Sequence, residues 1–250
     1  MTEPAQPAKP VVAVFDFDGT ITWADSFIPF LRHVEQHFRT RDYKRTWADS
    51  CIPFLRESSG FAKFWLGLLV LSPVTLAHVL GLVSNSRAKE CVMRFFLAGR
   101  TAEQLELAAK SFASSDRLTN LLNPVAMERL AWHQREGHRL LLLSASPELY
   151  LRHWAAANGF ATTIGTRLEM SEGRATGRMS GLNCHGAEKV RRLEAELGAL
   201  DQFEIHGYGD SRADLLLLDR IQHPHFRSFE GGSRLAYRFR AVSKFLCGLA

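Results

Sequence analysis

Apolar positions along this chain follow two periods. Val11–Phe15 reads VVAVF, an unbroken apolar run rich in β-branched residues. That is the pattern of a strand buried on both faces of a parallel sheet. It stops at Asp16-Phe17-Asp18-Gly19-Thr20. Arg139–Leu143 repeats the pattern and runs into Ser144-Ala145-Ser146-Pro147, and Phe203–His206 runs into Gly207-Tyr208-Gly209-Asp210. Helical periodicity fills Pro124–Arg135, Pro147–Asn158, Gly186–Leu197 and Ser211–Leu218. Strands alternating with helices predict an α/β fold, a doubly wound parallel sheet of Rossmann-like form. Such sheets bind ligands at the carboxyl ends of their strands. Each of these three strands ends there in a polar cluster.

Residues 23–119 break the rhythm. Segments such as Arg87–Leu97 and Thr101–Ala113 read as helices, so this stretch is expected to be a helical cap inserted into a core of residues 11–22 and 120–250. Residues 1–10 are Pro/Ala-rich without an apolar stretch, which predicts a short disordered lead-in and no signal peptide. Gly165–Gly177 reads as a β-hairpin turning at Ser171-Glu172-Gly173. His223-Pro224-His225 reads as a loop.

The cap carries two unusual segments. TWADSFIPFLR at 22–32 recurs as TWADSCIPFLR at 46–56, an offset of 24 residues. Two units are too few for a solenoid, so this is a duplication within the cap. Copy one is expected at the strand-one carboxylates, because its distance from Asp18 is fixed. The second segment, residues 64–86, holds no charged side chain. One membrane span there would put Asp16 and Asp210 on opposite sides of a bilayer, and two spans of about ten residues are too short. A helical hairpin around Ser72-Pro73 remains, either packed in the cap or dipped into a membrane interface.

Composition adds little until it is divided by region. With 46% hydrophobic and 23% charged residues the chain is globular. Cys51, Cys91, Cys184 and Cys247 form no C-x-x-C pair, which predicts neither disulfide nor zinc framework and a reducing, cytoplasmic location. The net charge of +5 is uneven. Residues 23–118 carry 13 basic and 9 acidic side chains, and residues 227–250 carry 5 and 1. In the tail, Leu235, Phe239, Val242 and Leu246 share one helical stripe among Arg234, Arg238, Arg240 and Lys244. That stripe suits a docked terminal helix or one lying on anionic lipid at the inner face of a membrane. No nucleic-acid-binding motif is present.

The strand ends carry the candidate chemistry. Asp16 and Asp18 point to the same side of a strand tip. Two close carboxylates call for a cation or a shared proton. Asp210 and Asp214 bring two more carboxylates to another strand end, on one helical face. An all-oxygen set predicts Mg²⁺ rather than zinc. An aspartate beside such an ion can attack phosphorus. Ser144, ahead of a helix N-terminus, would bind phosphate oxygens, and Lys189 would neutralise the transferring group.

The set D-x-D-G-T, strand-end Ser144, Lys189 and Gly209-Asp210-Ser211-Arg212-Ala213-Asp214 resembles the haloacid dehalogenase superfamily of phosphatases, in the family's order and over nearly the whole chain. The cap position is similar to the phosphoserine phosphatase-like branch with a helical cap (subfamily IB). SASPE, IGTRLE and GYGDSRAD are similar to its bacterial phosphatidylglycerophosphatase C-like members. The resemblance implies Asp16 as nucleophile and Asp18 as general acid/base. It implies Mg²⁺ on Asp16, the Asp18 carbonyl and Asp210, with Asp214 supporting, and phosphate held by Gly19, Thr20, Ser144 and Lys189. Phosphoserine phosphatases carry a substrate-binding glutamate seven residues after the second aspartate. Here that position is Asp25, or its duplicate Asp49, and Asp25 serves equally as a helix N-cap. Three readings follow: a phosphatase acting on a membrane lipid phosphate such as phosphatidylglycerol phosphate; a phosphatase of small soluble phosphomonoesters; or a membrane-associated binding protein whose lengthened flap blocks turnover.

Overall fold

The computed structural model describes residues 9–37 and 60–229. The second repeat copy, most of the spacer and the basic tail stripe lie outside the described residues.

Five parallel strands form the main sheet: β1 (Val11–Phe15), β2 (Arg139–Pro147), β3 (Thr162–Thr166), β6 (Glu204–Gly209) and β7 (His223–Phe226), in the order β3-β2-β1-β6-β7. β1 is central, with Val14 level with Leu141 on one side and Gly207 on the other. Alternate β1 residues serve two cores. Val12 and Val14 pack with Leu141, Leu143 and Ile205 on one face, while Ala13 and Phe15 pack with Leu140, Leu142 and Tyr208 on the other. Chain order reverses direction across β1, so the crevice between β1 and β6 is the topological switch point where open α/β sheets bind ligands.

The described helices are α1 (Phe27–His37), α2 (Gly60–Val79), α3 (Asn85–Leu97), α4 (Ala102–Ala113), α5 (Asp116–Thr119), α6 (Pro124–Arg135), α7 (Glu148–Ala157), α8 (Ala187–Leu197) and α9 (Arg212–Leu218). Those from α1 to α4 build the cap. The antiparallel hairpin β4 (Leu168–Ser171) and β5 (Arg174–Met179) turns at Glu172-Gly173 as its sequence indicates. It is tied to the cap: Gly99 N–H donates to Ala175 O at 2.8 Å and Ala102 N–H to Gly173 O at 2.9 Å.

Three expectations are corrected. Residues 64–86 do not reverse at Ser72-Pro73, because α2 runs straight through. Proline lacks the N–H that would bond the carbonyl four residues back. The Ser72 hydroxyl donates to that carbonyl instead, Leu69 O, at 2.7 Å. The reversal comes at residues 80–84, where Gly81 takes φ +76°. Second, His223-Pro224-His225 is edge strand β7, since proline is tolerated at a sheet edge. Third, Gly165 and Thr166 end β3, and the hairpin starts at Leu168. Among the described residues no helix is long and apolar enough to cross a membrane.

Candidate active site

The carboxyl ends of β1, β2 and β6 converge. Gly19 makes this convergence sterically feasible. It follows β1 with φ +83°, and a Cβ there would lie 2.4 Å from Asp210 Oδ2. Glycine therefore permits both the turn and the close approach of two acidic loops.

Asp16 is buried, and its N–H donates to Tyr208 O at 2.9 Å, fixing the strand tip to β6. Lys189, from the first turn of α8, is buried between two carboxylates. Its Nζ donates to Asp16 Oδ1 at 2.8 Å and to Asp214 Oδ1 at 2.6 Å. Burial opposes the ammonium charge, but the two carboxylates outweigh it and push Lys189 up. Burial also opposes the Asp214 charge, and the Lys189 ammonium overcomes it and holds Asp214 down. At Asp16 burial dominates, and the neighbouring Asp214 and Asp18 charges add to it. Its carboxyl is pushed up to about 7 despite Lys189.

Asp214 accepts three hydrogen bonds, one of them from Lys189. Its Oδ2 accepts from the Ser211 N–H at 3.0 Å and hydroxyl at 2.6 Å, closing a capping box on α9. Its clearest contribution is to hold Lys189 beside Asp16.

Asp18 faces the cap. Its Oδ1 accepts the Ser26 N–H at 2.8 Å, and Oδ2 accepts the Ser146 hydroxyl. Burial, then the Asp25 charge, raises its carboxyl to about 6. Asp25 is exposed, and its Oδ1 accepts the Phe27 and Ile28 N–H groups at 2.9 and 3.1 Å, so it N-caps α1. Its carboxylate also lines the cavity over Asp18, so copy one of the repeat lies at the site.

Two cavities share Asp18, Asp25 and Ser211 in their walls. One, of about 480 Å³, is floored by Asp16, Ser144 and Lys189. Its cap side is mixed: Phe27, Ile28, Val74 and Val92 stand among Thr75, His78, Asn85 and Lys89. The other, of about 380 Å³, is lined by Gly19, Thr20 and Asp210. Thr20 Oγ1 is buried there with no hydrogen-bond partner, a polar group awaiting a ligand.

Carboxylate oxygens of Asp16, Asp210 and Asp214 lie within 4.8 Å of one another. Lys189 bonds two of these acids, and Arg227 Nε donates to the Asp210 carbonyl at 3.0 Å. The all-oxygen donor set fits a hard divalent cation. The Asp18 side chain lies outside the triad, turned to Ser26 and Ser146.

Three residues escaped the sequence reading. Ser146 was legible in principle, because it lies two residues after Ser144 on the same strand face and so points the same way. Ser26 reaches Asp18 through its backbone, which no side-chain pattern encodes. Lys89 of α3 donates to Ala145 O and to Asn183 Oδ1, the latter at 3.3 Å, and burial lowers it to about 8. Only the packing of α3 against β5 and α2 brings it there.

Comparison with known proteins agrees with this geometry. Residues 13–219 match the haloacid dehalogenase-like hydrolase family. The chain is 31% identical to Protein CicA of Caulobacter vibrioides over 224 residues, 89% of this chain and 88% of that one. A protein of unknown function from Bordetella pertussis shares the fold with a TM-score of 0.67 at 24% identity, over 85% of this chain and 87% of that one. A substrate-bound phosphoserine phosphatase shares it with a TM-score of 0.52 at 14% identity, over 86% and 84%. With a family match over most of its length and a relative 31% identical over 89% of it, this chain belongs to the haloacid dehalogenase-like hydrolases.

Proposed function

We propose that this hydrolase cleaves phosphomonoesters through an aspartyl-phosphate on Asp16. The observation that carries the reading is Asp16 itself, ion-paired to buried Lys189 and open to a cavity floored by Ser144. The Asp16 carboxylate attacks phosphorus while the bond to the leaving oxygen breaks. Asp18 gives that oxygen a proton, then takes one from the water that hydrolyses the acyl phosphate. A carboxyl raised to about 6 suits a group that must hold and release a proton near neutrality. Lys189, the Ser144 hydroxyl and the unpaired Thr20 hydroxyl hold phosphate oxygens, and Gly19 gives the backbone room to approach. Asp16, Asp210 and Asp214, with the Asp18 carbonyl, would hold Mg²⁺, which neutralises charge on the transferring group when bound.

The leaving group we propose is a lipid. On its cap side the cavity offers Phe27, Ile28, Val74 and Val92 beside Thr75, His78 and Lys89, and α2 with the turn after it carries Leu69, Leu76, Val79, Leu80 and Leu82, each at least 60% exposed. Contiguous apolar surface of this kind marks a lipid or protein contact. The basic cap and tail suit an anionic membrane, where this chain would act from the cytoplasmic side.

Hydrolysis of p-nitrophenyl phosphate by wild type and Asp16→Asn, with and without EDTA, tests the chemistry. Activity lost in the variant and in chelator is expected, and equal rates in all four samples would overturn it. Phosphatidylglycerol phosphate in mixed micelles against phosphoserine tests the leaving group. Preference for phosphoserine, with the protein absent from floated anionic vesicles, would replace the lipid by a small soluble substrate.

A further inference from the structure

Five of the chain's ten histidines gather away from the active site, on and beside the β6·β7 edge. His206 on β6 is level with His223 on β7, and their rings stack with centroids 4.3 Å apart. His225 follows on β7, with Nε2 3.4 Å from His206 Nδ1. His133 and His138 back them, their Nδ1 atoms 2.7 Å apart. Glu204 lies two residues before His206, so it shares that strand face. Its Oε1 is 2.9 Å from His223 Nε2.

One donor atom from each of Glu204, His206 and His223 lies within 4.8 Å of the others. Two nitrogens bound to one tetrahedral zinc at about 2.0–2.1 Å stand roughly 3.3 Å apart. The His206 and His223 rings lie at 16° to one another, so one of them must turn to aim both lone pairs at a shared ion. The Glu204 and His223 side chains are 46% and 41% exposed, so an ion can enter from solvent. Imidazole with carboxylate selects borderline transition metals over Mg²⁺. Glu204 opens β6, whereas the catalytic acids lie beyond its far end, roughly 16 Å along the strand.

We propose that Glu204, His206 and His223 bind one divalent transition metal, with Zn²⁺ as the reference ion, at a site separate from the Asp16 centre. His225 flanks it on the His206 side. An ion there clamps edge strand β7 to β6 through side chains, where sheet hydrogen bonds hold β7 on one side only.

The test is calorimetric titration of the full chain with Zn²⁺ in excess Mg²⁺, on wild type, His206→Ala, His223→Ala, Glu204→Gln and Asp210→Asn. One zinc equivalent is expected in wild type and in Asp210→Asn. Affinity should fall at least ~10-fold in each of the other three variants, as metal sites lose when their coordination shell is disturbed. Co²⁺ in place of Zn²⁺ should give tetrahedral visible absorption in wild type that His223→Ala abolishes. Circular dichroism checks folding. Should His206→Ala misfold, the His223 and Glu204 variants carry the test. No zinc uptake by wild type, or an equivalent that survives His223→Ala and Glu204→Gln but vanishes in Asp210→Asn, overturns the site.

Discussion

Gly19 and Glu188 show how single residues set this molecule's tolerances. A Cβ at Gly19 would meet the Asp210 carboxylate at 2.4 Å and would also force a left-handed backbone on an L-residue. Gly19→Ala should therefore cost about 1–3 kcal/mol of stability. Because the clash displaces Asp210, turnover of p-nitrophenyl phosphate should fall more than tenfold. Wild-type turnover in the variant would mean that Asp210 does not need its position. Glu188, buried at the start of α8, accepts from Arg191 at 2.7 and 2.8 Å and from Arg192 at 2.7 Å. The Arg191 hydrogen bond leads, burial opposes, Arg192 adds, and the carboxyl is lowered to about 2. A depressed carboxyl stabilises the fold fully above its unfolded value, near 4.5, and loses that contribution as pH falls toward 2. Urea unfolding should show wild type more stable than Glu188→Gln at pH 6, with the gap closing between about pH 4.5 and 2. A pH-independent gap would mean that packing, not charge, explains the loss.

At the scale of elements, α2 is the least ordinary. Its 20 residues pass through Pro73 because Ser72 serves the orphaned Leu69 carbonyl. Ser72→Ala should cost about 0.5–1.5 kcal/mol. In a Pro73→Ala background the backbone N–H returns, and the same substitution should cost close to nothing. Equal costs in both backgrounds would show that the hydroxyl does not act through that carbonyl. The same helix marks where the sequence stopped being legible. An apolar run interrupted by Ser-Pro reads as two short helices, because the compensating hydroxyl contact depends on a rotamer. Central strands were legible because burial on both faces leaves VVAVF and LLLL no other reading. β3 (TTIGT) and β7 (HPHF) were not, because edge and half-exposed strands lack that constraint and here carry polar residues and proline. The acidic site residues could be read because each follows a strand tip at fixed spacing. Lys89 could not, because it arrives on a cap helix whose register against β5 and α2 no local pattern fixes.

The whole molecule hangs on whether cap and core are one body. Their apolar interiors are continuous: Phe30 of α1 meets Phe112 of α4 at 5.4 Å and Tyr150 of α7 at 4.7 Å between centroids. The Tyr150 hydroxyl lies 2.8 Å from Ser26 Oγ, beside Asp18. Within the cap, one buried charge pair ties α1 to the turn between α3 and α4. Arg100 is 1% exposed, bonds Phe96 O at 2.8 Å through Nε and pairs with Glu35 of α1. Removing one partner of a buried pair leaves an uncompensated charge, at a cost of about 3–5 kcal/mol. Glu35→Ala should destabilise the protein by that amount. Because the interiors are continuous, far-UV circular dichroism and tryptophan fluorescence should still report a single coincident transition. Two separated transitions would mean that the cap unfolds alone. Glu35 lies three residues past the end of the first repeat copy, in the stretch that leads toward the second. A deletion meant to excise the duplication must therefore spare the chain through His37. One that starts at His33 removes Glu35 and its pair with Arg100, and should lose stability as Glu35→Ala does, whatever it does to the flap.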